Sequence, residues 1–402
     1  MFKQIVSYIN IKEAYLEIVE QFAADRRAFK YHGLDNTYLR DLDLKSHKLI
    51  KEIKQELLDN SEIEPALSVK IAKKNKPGEF REIFVYNIKE RVKAQAIYRV
   101  VLLEFEKRFS NRLFSYRPNK PPYLAARIFC RRYRAGFLTD SVLVLDLKNY
   151  SDKINRELMF LKIKQLGFDD KVNSLLKLFI FNKVYRDGSI ALPTVGLIQG
   201  VPLIALFVNF YLTDFDLKYQ KEVDFYLRVG DDIVFIDDNL EKIKKISKIV
   251  TSDLDFLNLE INQTKLFLGA TRESFSYLGY HFNNGLIALD KGFILKNQLE
   301  WKEILKYKNL PFSDKKNLFK KMMYQDDQNF NFKFKKIIKD KSQINDTGQI
   351  KKISESFFKI MTIFFYQRYS FRNRRLLKGL LKDYKLTSLY QVYQKFHYEK
   401  HP

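Results

Sequence analysis

Cysteine is almost missing from the 402 residues: Cys130 stands alone. One thiol excludes a disulfide framework and a cysteine-rich zinc cluster, and points to a reducing, cytoplasmic setting. The opening Met1-Phe2-Lys3-Gln4-Ile5-Val6 lacks the long apolar run of a secretory leader. Uninterrupted apolar stretches are lacking elsewhere too. The nearest approach, Val195 to Leu217, is broken by Gln199, Gly200, Pro202, Asn209, Asp214 and Asp216, which marks a buried core segment and not a membrane span. Residues 291–402 show no repeats and no obvious linker. Acidic residues are in deficit, 48 Asp+Glu against 72 Lys+Arg, for a net charge of +24.

What remains is rich in apolar (46%) and aromatic (15%) residues, which excludes a disordered chain and supports two or three subdomains around a substantial core. The positive charge implies a polyanionic partner, nucleic acid being the commonest; a lysine-rich genome is the bland alternative. Distribution favours the partner. Residues 291–402 hold 26 Lys+Arg against 10 Asp+Glu, so +16 of the +24 lies in the last quarter.

The chain centres on Phe225-Tyr226-Leu227-Arg228-Val229-Gly230-Asp231-Asp232-Ile233-Val234-Phe235-Ile236, which reads as strand, tight turn, strand. Two adjacent carboxylates at the tip of a half-buried hairpin repel each other and need a countercharge, and oxygen ligation suits Mg²⁺ or Mn²⁺. An acidic surface turn gives the same string. Upstream, the strand Ser141-Val142-Leu143-Val144-Leu145 runs into Asp146, a rigid position for a metal ligand or, equally, a helix N-cap.

Residues 1–60 have helical spacing, followed by a hairpin of Ser68–Ala72 and Arg81–Val85. Lys73, Lys74, Lys76 and Arg81 on this hairpin form a triphosphate clamp or an exposed basic turn. A helix is expected over Lys89 to Arg108, and Phe114 to Pro118 closes the first basic subdomain. Gly196-Leu197-Ile198-Gln199-Gly200-Val201-Pro202 opens one apolar helix from Leu203 to Leu217, its glycines allowing close approach to the backbone. Leu254 to Lys265 reads as helix, turn, strand, and Phe275 to Phe282 as one strand of a further hairpin. The remainder reads as basic, aromatic helices, with a loop at Asp340 to Gly348.

In order and spacing these segments resemble the motifs of reverse transcriptases, in particular the bacterial group related to group II intron maturases and retron enzymes. The resemblance covers roughly residues 65–285. Asp146 to Ile154 is similar to motif A, Gln199-Gly200-Val201-Pro202-Leu203 with Asn209-Phe210-Tyr211-Leu212 to motif B, and Val229-Gly230-Asp231-Asp232 to motif C. Leu259 to Lys265 resembles motif D, Tyr277-Leu278-Gly279 motif E, and Lys73, Gly78, Arg81 and Arg91 the fingers signature.

The resemblance implies an α+β right-hand polymerase with fingers, a ferredoxin-like palm and a helical basic thumb. Residues 1–140 would form N-terminal helices and fingers, 141–285 the palm with an insertion at 156–194, and 286–402 the thumb and C-terminal region. It implies nucleotidyl transfer with two Mg²⁺ or Mn²⁺ ions, Asp146, Leu147, Asp231 and Asp232 being their ligands. Lys265 would assist the departing pyrophosphate. Lys73, Arg81, Tyr150, Ser151, Gln199 and Gly200 would bind the nucleotide. Arg117, Pro202, Asn209, Tyr277, Leu278 and Gly279 would meet primer and template.

The sequence departs from the family pattern at Val229 and Gly230, where tyrosine and alanine are usual, at Ser151, where a bulky aromatic usually excludes the ribose 2′-hydroxyl, and at Ile204, where serine is usual. Either sugar selectivity is relaxed or Tyr150 takes over the gate. The chain shows neither a maturase extension nor the Val-Thr-Gly of retron thumbs, which leaves the defence-associated and unknown-group bacterial reverse transcriptases as the likeness. That likeness implies antiphage immunity, an RNA template, a DNA product made from dNTPs and a dedicated noncoding RNA, with no membrane partner and with a homo-oligomer left open. Competing readings are a ribonucleotide-polymerising or template-independent polymerase on the same palm, and a non-catalytic nucleic-acid-binding scaffold.

Overall fold

Six consecutive buried residues make β3 (Ser141–Asp146), four apolar side chains between Ser141 and Asp146 with no solvent face. Such a run suits a strand covered on both faces. It lies within a four-stranded sheet of order β6-β7-β3-β8, where β6 is Phe225–Val229, β7 Asp232–Asp237 and β8 Phe267–Ala270. Helices fall between β3 and β6 and between β7 and β8, so the connectivity is βαββαβ. Renumbered in chain order the four strands run 4-1-3-2, the ferredoxin-like arrangement.

The computed structural model describes residues 1–24, 32–38, 46–72, 78–323, 341–384 and 388–398. By its contacts the chain divides into two units, residues 1–122 with 142–268 and residues 123–141 with 269–402.

In the first unit, helices α1 (Phe2–Ile5), α2 (Tyr8–Ala24) and α3 (Ser46–Leu58) precede the hairpin of β1 (Ala66–Ala72) and β2 (Phe80–Val85). This hairpin pairs Ala72 with Phe80, and β1 also runs parallel to β4 (Val184–Arg186), giving a second sheet of order β2-β1-β4-β5 with β5 at Ser189–Ala191. Lys73, Lys74 and Lys76 lie outside the described residues. The long helix α4 (Ile88–Glu106) is buried at Val92, Ala96, Ile97, Val101 and Phe105, at helical spacing, and packs into the unit's main core.

The expected single helix over Leu203–Leu217 is two. Pro202–Tyr211 and Thr213–Glu222 meet at Leu212, where φ −99° and ψ 15° leave the helical range. Neither glycine nor proline marks the break. It re-aims the second helix so that Asp216 becomes fully buried against Arg228 of β6. The segment after α-helix Leu240–Phe256 also differs: Ile261 makes a single bridge to Leu147, residues 262–265 turn, and the strand begins only at Phe267.

In the second unit, Phe275–Phe282 is a complete hairpin and not one strand. β9 (Phe275–Tyr277) and β10 (Tyr280–Asn283) are joined by Leu278 and Gly279, both left-handed at φ 50° and 72°, as a type I′ turn requires. With β11 (Leu286–Leu289) they form a three-stranded sheet. Phe129 and Tyr133 of the helix Pro122–Gly136 pack edge-on against the rings of Tyr277 and Phe282. The helices Lys291–Lys302, Phe312–Met323, Thr347–Tyr366, Phe371–Asp383 and Leu389–Tyr398 follow. Among the described residues no helix is long and apolar enough to cross a membrane.

Candidate active site

Val229 pairs with Asp232, so the β6–β7 turn is Gly230-Asp231 alone. Gly230 takes φ 66°, the positive value that the first position of a type II′ turn demands. A side chain there would meet no neighbour, so the dihedral and not space calls for glycine. The turn is fixed to β3 by Leu147 N–H, which donates to Asp231 O at 3.0 Å. Asp146 and Asp231 thereby face one cavity of about 900 Å³ in the first unit.

Asp146 is 6% exposed and its oxygens are engaged from the segment before β8. Lys265 Nζ donates to Oδ2 at 2.6 Å and Asn262 Nδ2 to Oδ1 at 2.9 Å, while Asn262 N–H donates to Asp146 O at 2.8 Å. It is not a helix N-cap: the next helix, Tyr150–Lys153, is preceded by Asn149. Asp231 is open to the cavity, yet its carboxyl is partly walled off from water. That desolvation first, and the Asp146 charge second, raise its pKa above the usual carboxylate value, with Lys265 and Arg228 opposing. For Lys265, burial works against the charged form but is outweighed by Asp146, Asp232 and Asp231, so its pKa is raised.

The same cavity is lined by Arg81, Leu147, Tyr150, Ser151, Gln199, Gly200, Pro202 and Ile204. Gln199 Nε2 donates to Ser151 Oγ, and the Tyr150 hydroxyl donates to Val208 O at 2.6 Å. Gly200 sits at φ 134°, where an added Cβ would come within 2.7 Å of Phe84 O. A Gly200→Ala variant is therefore expected to push this turn off the β2 backbone and lower turnover about tenfold or more, as misplacement of positioning groups does. Wild-type turnover in steady-state nucleotide incorporation by that variant would contradict this role.

Other predicted site residues lie elsewhere. Arg117 donates to both Glu106 oxygens and to the carbonyls of Ser110 and Leu113. Asn209 is fully buried and exchanges hydrogen bonds with Ser115. Arg91 donates to Tyr86 O. Tyr277 is a core ring of the second unit at 3% exposure, and the Leu278 carbonyl accepts from Lys341.

The sequence reading missed the group that holds the acidic turn. Arg228 and Asp216 are each 0% exposed. Arg228 Nε and Nη2 donate to the two Asp216 oxygens at 2.7 Å, Nη2 also to Asn209 O at 2.9 Å, and Nη1 to Gly230 O at 3.1 Å. One guanidinium thus joins the acidic turn to the Pro202–Tyr211 helix. A lone arginine inside the apolar run Phe-Tyr-Leu-Arg-Val was the available signal, since such a charge needs a buried partner.

Of the expected trio Asp146, Asp231 and Asp232, the first two present carboxylates to the cavity, the oxygen donor type of a hard divalent cation, and Asp232 is not among the residues that line it. A different trio, Asp224, Asp237 and Asp238, brings ligand atoms within 4.8 Å of one another among the described residues. There Asp237 is already paired with Lys242 and accepts from Asn239 N–H, so its charge is met.

Residues 71–282 match the profile of the reverse transcriptase (RNA-dependent DNA polymerase) family. The match spans more than half of the chain, and the chain belongs to that family: a right-hand polymerase fold of nucleotidyltransferases that use divalent metal ions. No curated protein matches the sequence. Among solved structures, it is similar to apo telomerase from Candida tropicalis at 16% identity and a TM-score of 0.46, over 79% of this chain and 60% of that one. It is also similar to the Candida tropicalis apo telomerase truncated from its C-terminal domain, at 17% identity and 0.43, over 57% and 56%. The chain therefore spans less than two thirds of the length of those telomerases.

Proposed function

We propose that the chain is an RNA-directed DNA polymerase whose chemistry occurs at Asp146, Asp231 and Asp232. One observation carries the reading: Asp146 and Asp231 line the same cavity as Arg81, Gln199 and Gly200, with Lys265 bonded to Asp146. Divalent ions held by the three carboxylates and the Leu147 carbonyl would supply acidification of a primer 3′-hydroxyl and neutralisation of the triphosphate. Arg81 grips the triphosphate from the cavity wall. Gln199 and the Gly200 backbone position the nucleotide against the template base. The Lys265 ammonium, kept charged by its acidic neighbours, would stabilise the negative charge on the departing pyrophosphate or donate a proton to it.

Lys265 also competes with cations for Asp146. Lys265→Met is accordingly expected to lower the Mg²⁺ concentration at half-maximal rate while cutting turnover about 100-fold. A magnesium titration of both proteins reads the two effects separately. An unchanged half-maximal concentration would refute the competition.

In this reading residues 1–140 serve as fingers, 141–285 as palm and 286–402 as thumb and C-terminal region. Tyr277, Leu278 and Gly279 would meet the primer through the turn backbone, because the Tyr277 ring is committed to the core. The concentration of charge in residues 291–402 supports a bound polyanion such as RNA, and a dedicated noncoding RNA is supported by motif resemblance alone. A role in bacterial antiphage defence is supported by motif resemblance alone, and plating of phage on cells with and without the intact gene tests it.

A second reading, ribonucleotide incorporation, is favoured by Ser151, a small polar side chain on the cavity wall where Gln199 reaches it. Primer extension on an RNA template with dNTPs or NTPs separates the two. If Tyr150 is the sugar gate, Tyr150→Ala gains NTP use. Strict dNTP use by that variant would remove Tyr150 from the role.

A further inference from the structure

Residues 196–201 bring Gln199 and Gly200 to the cavity wall, yet they belong to no helix or strand. The buried carbonyls of such a segment need partners from elsewhere. Two side chains supply them. Arg156, 2% exposed, donates from Nε to Gly196 O at 2.6 Å and from Nη1 to Asn182 O at 3.2 Å. Tyr86, 1% exposed, donates its hydroxyl to Ile198 O at 2.8 Å, and its ring lies 3.2 Å from where a Cβ on Gly200 would stand. Arg91 holds the Tyr86 carbonyl in turn. Gly196 N–H donates to Ile154 O and Leu197 N–H to Ser151 O, so the segment is tied through both its donors and its acceptors before it reaches Gln199. Arg156 is costly in this place. Among the described residues no carboxylate pairs with it, Nη2 is buried without an acceptor, and burial pushes the guanidinium down to about 10. A neutral donor would satisfy a carbonyl at less cost. What a guanidinium adds is a rigid plane that fixes carbonyls of two separate segments by charge-assisted bonds.

We propose that Arg156 and Tyr86 are positioning residues for the incoming nucleotide: by holding Gly196 O and Ile198 O they keep Gln199 and the Gly200 backbone ordered before the nucleotide arrives. Neither side chain lines the cavity, so both act through the segment. The proposal rests on the polymerase reading above. A wall ordered in advance spares the nucleotide the cost of ordering it on binding. Loosening that wall weakens binding but leaves the bound complex, once formed, close to the original, so KM rises and kcat holds. Gly200→Ala differs because it displaces the wall permanently and so lowers turnover.

The test pairs steady-state kinetics with amide hydrogen exchange on the full chain. Tyr86→Phe removes one hydroxyl and keeps the ring. Arg156→Lys keeps the charge, but a single ammonium cannot replace the planar fork across two carbonyls. Tyr219→Phe is the comparison, because it removes a 2.7 Å hydroxyl bond to Asp253 from a ring that does not line the cavity. On a DNA primer annealed to an RNA template with Mg²⁺, Tyr86→Phe and Arg156→Lys are each expected to raise KM for dNTPs about tenfold, with kcat changed less than about threefold. Affinity for the primer–template should be unchanged. The double variant should lose less than the product of the two, because both ties serve one segment. Without nucleotide, exchange should quicken across residues 195–202 in both variants and stay as in wild type at the β6–β7 hairpin. Tyr219→Phe should lower Tm with neither effect. Unchanged exchange at 195–202, or a KM that moves no more than in Tyr219→Phe, would overturn the proposal. Faster exchange there in both variants, beside a wild type that incorporates neither dNTPs nor NTPs, would sustain the hold on the segment and sink the polymerase reading instead.

Discussion

Asp231→Asn is expected to reduce nucleotide incorporation by at least about 10³-fold, the scale for losing transition-state charge stabilisation, because Asp231 would hold the cations that supply it, while the fold persists. The persistence follows from the sign of its pKa shift. Asp231 titrates higher in the folded chain than in the unfolded one, because of desolvation and the facing Asp146. The folded state therefore binds the proton more tightly. Any stability from that proton is present at low pH and lost as pH rises through the folded pKa, so at neutral pH the ionised carboxylate opposes folding. Asparagine keeps the shape and removes the charge. Thermal melting at pH 7 should give a Tm equal to or above wild type, with the gap closing as pH falls. A large drop in Tm would mean that Asp231 is a structural acid and that lost activity reports unfolding.

Arg228 should behave in the opposite way. Its charge is held by Asp216, which outweighs full burial and raises its pKa. Arg228→Met leaves the Asp216 carboxylate buried, with the Tyr226 hydroxyl bond at 2.6 Å still in place but no countercharge. Breaking a buried pair in this way costs about 3–5 kcal/mol, enough to deplete the folded protein in denaturant titrations. The double variant Arg228→Met/Asp216→Leu removes both charges and should regain most of that stability, since apolar replacement of a buried pair is often near neutral. Activity should not return with it. The carbonyls of Gly230 and Asn209 have lost their shared donor, and the turn bearing Asp231 is no longer tied to the neighbouring helix. A stable double variant with wild-type turnover would show that the guanidinium serves folding only.

These two cases mark what could be read along the chain. The acidic hairpin was legible because β-branched and aromatic arms flank a Gly-Asp turn, and the strand into Asp146 because Val142-Leu143-Val144-Leu145 is an unbroken apolar run. The ferredoxin-like palm was implied by the motif resemblance and not by the strands alone, for the strand expected to end at Lys265 begins only at Phe267. The break at Leu212 was not legible, because no glycine or proline signals it; the Arg228–Asp216 pair rewards it, and that pair is a tertiary contact between residues 12 apart. The hairpin at Tyr277–Tyr280 was hidden because leucine rarely adopts positive φ, so Leu278-Gly279 lacks the usual Asn-Gly or Asp-Gly signature. Arg117 and Asn209 illustrate a third limit. Their residue types suit nucleic acid, but only the packed structure reveals internal partners that already occupy them.

The central claim is that the cavity lined by Asp146 and Asp231, with the adjacent Asp232, makes DNA. Its most direct test is to isolate the protein with whatever RNA it retains and supply labelled dNTPs or NTPs with Mg²⁺, beside an Asp231→Ala/Asp232→Ala variant. The account predicts dNTP incorporation that disappears in the variant, into a product whose sequence is complementary to the retained RNA. Incorporation that survives in the variant, or that occurs with NTPs alone, would contradict it.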